Sequence, residues 1–289
     1  MSDPTPQETG LPLQSPLFHA EQAGRYDRQS LIKSYEDTFD CRLIAVVDAI
    51  FPYGVTFFEE LIYDADPEED LHLLLASPGG DGETAVRLVR AAQARCRELT
   101  IVVPDQAKSA ATLLVMGAHR ILMGPTSDLG PVDPQFQMSD GSLASAKDII
   151  AAVDDATDKV QQAPDTYPIH AALLADLTAL MVQQARAALD RTSDLVEEAL
   201  KSNPDRSEDE VAELKKTLRK PLIDAPKSHA ALLGADDAAT AGLPVTKVDP
   251  RSRQWEMIWR LWARYFALGA PRVYEGRSAS KVLPWPTGD

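Results

Sequence analysis

Apolar residues along the first half of the chain fall into two alternating rhythms. Short continuous runs at 42–50 (RLIAVVDAI), 71–76 (LHLLLA), 100–103 and 120–123 have the length and texture of buried strands. Stretches with helical spacing lie around them at 30–39, 55–63, 83–97 and 109–117, and in 83–97 Ala85, Leu88, Val89 and Ala92 make a single stripe. Strand and helix alternating at this interval predict an α/β fold, a parallel sheet covered by helices on both faces. From 143 to about 220 the rhythm becomes long and helical, broken by Pro164, Pro168 and Pro204, and its charge-rich end at 203–220 reads as a solvated helix. A short helix stopped by Gly242 and a last strand follow within 234–248. Beyond 251, Trp255, Trp259, Trp262 and Phe266 recur at helical steps, predicting one aromatic face. The expected organisation is a flexible N-terminal segment (1–24), a core (25–142), a helical insertion or arm (143–227), a return of the core (228–250) and a Trp-rich C-terminal helix and tail (251–289).

Composition narrows the function. The chain has 289 residues and a net charge of −15, with no Lys/Arg cluster interleaved with aromatics. Such a surface repels phosphate backbones and anionic lipid, so nucleic acid is not an expected partner. Cys41 and Cys96 stand in unrelated contexts, without a CxxC or a Cys/His metal spacing, which fits a reducing, cytoplasmic setting and argues against structural zinc. His19, His72 and His119 show no ligand spacing either, so no metal site is expected. The N-terminus lacks a basic region followed by an apolar one, which argues against a signal peptide. The apolar stretch 43–58 is interrupted by Asp48, Pro52 and Gly54, too short and broken to span a bilayer.

Three elements carry candidate chemistry. Ser77-Pro78-Gly79-Gly80-Asp81-Gly82 lies where strand gives way to helix, at the sheet edge where open α/β folds bind ligands, and its paired glycines allow close approach of backbone N–H groups. It matches neither phosphate-loop pattern, and taken alone it is an ordinary Pro/Gly turn. Ser109, in Ala107-Lys108-Ser109-Ala110-Ala111-Thr112, stands at a helix start, where N–H groups stabilise developing negative charge. Taken alone it is an N-cap. Leu129-Gly130-Pro131-Val132-Asp133-Pro134-Gln135 is a rigid loop presenting one carboxylate, otherwise a turn residue. Asp81 and Glu83 need no role beyond negative charge at a helix start.

Together, these elements between 73 and 135 resemble the Clp/crotonase superfamily of ClpP- and SppA-like serine peptidases. The likeness is greatest to the serine dehydrogenase proteinase family, through Pro16-Leu17-Phe18-His19-Ala20-Glu21, Arg25-Tyr26-Asp27-Arg28-Gln29, the loop at 129–135, and Ser228-His229 ahead of Ala241-Gly242-Leu243-Pro244-Val245. The resemblance implies a ClpP/crotonase-like spiral of parallel strands covered by helices and a serine peptidase acting on a peptide or protein substrate. It also implies Ser109 as nucleophile, the N–H groups of Gly80 and Ala110 as oxyanion hole, no cofactor, and assembly into a homo-oligomer. Relative to ClpP, histidine and aspartate exchange places: Asp133 stands in the loop and His229 before the last helix, a Ser, Asp, His order. Triad order along a chain is free.

Other bases stay open. SppA-like enzymes use a Ser/Lys dyad, for which Lys147 and Lys159 are the candidates. Lys108 is expected to point away from Ser109, and His170 sits in an apolar helical context. Two further functional readings stand beside the peptidase: a non-catalytic peptide-binding or regulatory assembly protein on the same scaffold, and acyl-CoA chemistry, against which the helix-start Ser109 argues.

Overall fold

A computed structural model describes residues 14–224, 232–269 and 272–284. Helix α1 (Pro16–Phe39) leads into strand β1 (Cys41–Val47), helix α2 (Gly54–Ile62), β2 (Asp70–Ala76), α3 (Gly82–Gln93), β3 (Leu99–Val103), the short β4 (Gln106–Ala107), α4 (Ala110–Met116) and β5 (Arg120–Met123). Short strands β6 (Asp128–Leu129), β7 (Gln135–Gln137) and β8 (Leu143–Ser145) precede the helices α5 (Ala146–Gln162), α6 (Tyr167–Leu173), α7 (Ala179–Leu200) and α8 (Glu208–Arg219). Helix α9 (Ala235–Thr240), β9 (Val245–Lys247), α10 (Arg253–Phe266), β10 (Arg272–Glu275) and β11 (Ser280–Leu283) follow among the described residues.

Among the described residues, seven strands form the central sheet in the order β11-β10-β1-β2-β3-β5-β9. The five from β1 to β9 are parallel, and β10 and β11 add an antiparallel hairpin to the β1 edge. Side chains on a strand alternate between faces, and both faces here are apolar. Ile44, Val46, Leu73, Leu75, Ile101 and Val103 point into the core beneath α2, α3 and α4. Leu43, Ala45, Leu74, Val102 and Leu122 point into the core beneath α1 and α10. This is why the strands read as continuous apolar runs. A second tier of pairings sits above the carboxyl edge: Ile50 bridges Gly80, Ser77 bridges Ala107, β4 pairs with β6, and Leu129 bridges Leu233.

The arm divides its burial. The C-terminal half of α7 joins the main core through Leu195, Val196, Ala199 and Leu200. Its N-terminal half packs with α5 and the β7–β8 hairpin around Ala146, Ile149 and Ala185. Helix α6 buries no residue and exposes Tyr167, Ile169 and Leu173. Helix α8, expected to be solvated, starts with a Ser207/Glu210 capping box and still buries Val211 and Leu218. Among the described residues, no helix is long and apolar enough to cross a membrane.

Three features depart from the sequence reading. Helix α1 starts at Pro16, inside the stretch expected to be loose, with Ser15 accepting from Phe18 N at 3.2 Å. Its buried stripe is Arg28, Gln29, Ile32, Tyr35 and Glu36, too polar for apolar periodicity to register, and proline suits the first helical turn. The expected aromatic face of α10 is split: Trp255 is buried with Ile258, Leu261 and Tyr265, whereas Trp259 and Phe266 are 47% and 74% exposed. The β10–β11 hairpin was not expected. Buried Glu275 on β10 accepts two bonds from Arg28, at 2.7 and 3.0 Å, and one from Ser280 Oγ at 2.6 Å, so its charge is compensated inside the protein.

Under α1, Gln254 Nε2 donates to Tyr35 Oη at 2.9 Å, and Tyr35 Oη lies 2.8 Å from His72 Nδ1. The tyrosine proton is thereby directed at His72, whose Nδ1 accepts. Burial pushes the His72 pKa down to about 4, so the fold favours the neutral ring. An unfolded chain takes up the proton near pH 6.5 and the folded one only near 4, so this contribution is present above about 6.5 and lost as pH falls. Wild-type stability is expected to drop by about 2 kcal/mol more than that of His72→Gln between pH 7 and pH 5, measured by urea unfolding. Equal pH slopes for the two proteins refute the assignment.

Candidate active site

The site forms where the turn after β2 meets the turn before α4. Ser77 N donates to Gln106 O at 2.9 Å and Lys108 N donates to Ser77 O at 3.0 Å, laying the two segments side by side. Gly79 and Gly80 take φ of 102° and 141°. A Cβ on Gly79 would lie 2.7 Å from Ser109 Cβ, and one on Gly80 would lie 2.2 Å from Ile50 O. Glycine is therefore required twice, once against the serine and once against the chain end of β1. Ile50 grips the turn from that side: its N–H donates to Gly79 O at 2.8 Å and its carbonyl accepts from Asp81 N at 2.6 Å.

Ser109 has φ 49° and ψ −118°, a conformation that a residue with a Cβ rarely adopts. Its carbonyl starts α4 by accepting from Thr112 N and Leu113 N, but its side chain makes no capping bond. The bland N-cap role therefore does not describe it. Asp81 does cap its helix, accepting from Thr84 N and Oγ1 at 2.7 and 2.5 Å. Among the described residues, neither Gly80 N nor Ala110 N donates to an acceptor.

Gly80, Ser109, Ala110 and Asp133 line one cavity of about 230 Å³. Asp133 is 3% exposed. Its loop is tied to the serine turn by Thr112 Oγ1, which bonds Ala107 O at 2.9 Å and Gly130 O at 2.8 Å, and by Gly130 N, which donates to Ala107 O. The remaining wall was not foreseen: α7 contributes Ala188, Arg191, Thr192 and Leu195. Arg191 holds Glu83 through two bonds at 2.6 and 2.7 Å and Glu198 at 2.6 Å, fastening α7 to α3 across the opening. The Arg191 guanidinium keeps the Glu198 carboxyl below its usual range. No local motif marks α7, because its contribution arises from the arm folding back.

The alternative bases separate. His229 lies outside the described residues. Lys147 is half-buried on the first turn of α5, which Ala146 N anchors to Pro134 O at 2.8 Å, but it does not line the cavity. Lys159 pairs with Asp155 at 2.6 Å, both more than half exposed, and is not part of the cavity wall. Lys108 pairs with Asp128. His170 is half-buried on α6 and His19 is exposed; neither lines the cavity. Among the described residues, no group of three or more His, Cys, Asp or Glu side chains is placed to hold a metal ion. A larger, mostly apolar cavity of about 400 Å³ lies beyond Ser77 and Pro78 and is walled by Trp262, Tyr265 and Phe266 of α10; Ser109 does not reach it.

A mostly parallel sheet flanked by helices, with a glycine turn and a serine turn meeting at its carboxyl edge, defines a ClpP-like protein. This chain belongs to the family of ClpP-like SDH-type serine proteinases, which matches it over residues 61–261. It is 28% identical over 222 residues, 77% of its length, to an uncharacterized protein of Methanocaldococcus jannaschii, and it spans 66% of that relative. Among solved structures, a mutant of the 1510-N membrane-bound stomatin-specific protease aligns with 38% of this chain and 58% of its own, at 24% identity and a TM-score of 0.32.

Two substitutions where these turns meet have opposite signs. Ser109→Gly relieves the positive φ and is expected to raise stability by about 1 kcal/mol. Gly80→Ala drives a methyl group into Ile50 O and is expected to cost about 2 kcal/mol or more. Urea unfolding monitored by circular dichroism checks both, and a destabilised Ser109→Gly contradicts the strain argument.

Proposed function

We propose that this chain is a serine peptidase that hydrolyses peptide bonds in a peptide or protein substrate. The observation that carries the reading is the strained Ser109, uncapped and facing a cavity it shares with two backbone N–H groups that have no acceptor among the described residues. Ser109 Oγ attacks the substrate carbonyl, and the N–H groups of Gly80 and Ala110 take up the developing oxyanion, each donor worth about 3 kcal/mol. His229 accepts the serine proton and returns it to the leaving amine. Water then attacks the acyl-enzyme by the same base and restores the hydroxyl. Asp133, buried in the same cavity wall, orients and charge-stabilises the imidazole. The role of His229 rests on the likeness of Ser228-His229 to the family's pattern. Lys159 is a poor substitute, because it is exposed, paired with Asp155 and not part of the cavity wall.

Self-association is part of the same proposal, and the exposed Tyr167, Ile169 and Leu173 on α6 are the surface features that support it.

A fluorophosphonate probe tests the chemistry. Wild type is expected to be labelled on Ser109 and Ser109→Ala not at all, with His229→Ala reacting slower by about 10³-fold or more. A folded wild-type protein that never reacts, or that reacts at another residue, overturns the reading. Sedimentation velocity at rising concentration tests the assembly, and a monomer throughout removes that part.

A further inference from the structure

The turn that carries Gly80 is held by Ile50, and two residues before Ile50 lies a buried ion pair with a distant part of the chain. Asp48, whose side chain is fully buried, directly follows β1 and lies two residues before Ile50. Arg272 Nε, on β10, donates to its two oxygens at 3.1 and 3.2 Å, and the Arg272 side chain is 12% exposed. The guanidinium lies 4.2 Å over the Tyr53 ring, while Tyr53 Oη donates to Asp48 at 3.3 Å. Asp48 Oδ1 also accepts from Ala49 N at 2.8 Å, which fixes the backbone leading directly into Ile50. Neither Asp48 nor Arg272 lies within residues 61–261, where the family match runs.

We propose that Arg272 is a positioning residue for the oxyanion turn: through Asp48 and Ile50 it sets where the Gly80 N–H points. This rests on the peptidase reading above for its catalytic consequence, but the mechanical link stands by itself. A carboxylate buried without its guanidinium draws water or shifts the backbone to find other donors. The segment that would shift is 48–50, which donates to Gly79 and accepts from Asp81. Arg272 touches none of the reacting atoms.

The test has two readouts on Arg272→Met, on Arg272→Lys, and on the double variant Asp48→Asn with Arg272→Met. The double variant orphans no charge and keeps the question open to experiment if Arg272→Met fails to fold. Amide hydrogen exchange at Ile50 and Asp81 is expected to quicken at least about tenfold in both Met variants, while the far strands β3 and β5 keep their protection. The limiting rate of fluorophosphonate labelling at Ser109 is expected to fall by about 10²-fold, the scale of losing one oxyanion donor, with the probe's half-saturation unchanged. Arg272→Lys, which keeps the charge, is expected to recover part of both. Unchanged exchange at Ile50 and Asp81, or an unchanged limiting rate in a folded Met variant, overturns the proposal. A wild type that never reacts refutes the peptidase reading instead, and the exchange measurement then decides this one alone.

Discussion

The site depends on one close approach, that of the chain after β2 to the chain after β3. Two backbone hydrogen bonds at Ser77 bring the segments together, and no Cβ fits between them at Gly79. The left-handed conformations of Gly79 and Ser109 are two halves of that contact. Each segment bends sharply so that both helices, α3 and α4, can start from the same edge of the sheet with their N–H ends directed at one cavity. The arrangement costs strain at a serine, of the order of 1–3 kcal/mol. The offset is local, since every residue of α4 from Ala110 to Met116 is buried, and one buried aliphatic side chain contributes about as much.

The arm completes the enclosure. Residues with no local signature, such as Ala188, Thr192 and Leu195, become walls because α7 is long enough to reach from the small core of the arm to the main one. The bidentate contact of Arg191 with Glu83 links the two at the cavity mouth. It is exposed, and its net stabilisation in water is small. Its geometric effect, holding a helix over an opening, does not depend on its energy.

The parallel sheet was legible because both of its faces are apolar, so its central strands appear as unbroken runs whose length and following turns separate them from helix. Ser109, Gly80, Ala110 and Asp133 could be assembled from motif likeness, and they line one cavity. Besides the α7 wall of the cavity, three features of the fold escaped. The polar stripe of α1 hides its length, since Arg28 and Glu36 are buried by partners rather than by apolarity. The split of α10 depends on which half of an aromatic helix meets the sheet, which periodicity does not determine. The β10–β11 hairpin carries Arg272, Glu275 and Lys281 and reads as a polar tail. Its strand character comes from pairing with β1 and from a buried ion pair whose other member is 247 residues away.

That hairpin also orders events during synthesis. Strand β1 is the first strand of the sheet to be made, and the strand that covers its open side is among the last. Until β10 arrives, a nascent chain presents the row of unpaired amides and carbonyls along β1 to its surroundings, a template for pairing with a neighbouring chain. The buried Arg28 has no carboxylate to meet in the same interval. Completion of the sheet therefore waits for β10, and β1 must be kept from wrong partners for as long as the chain between the two strands is being translated.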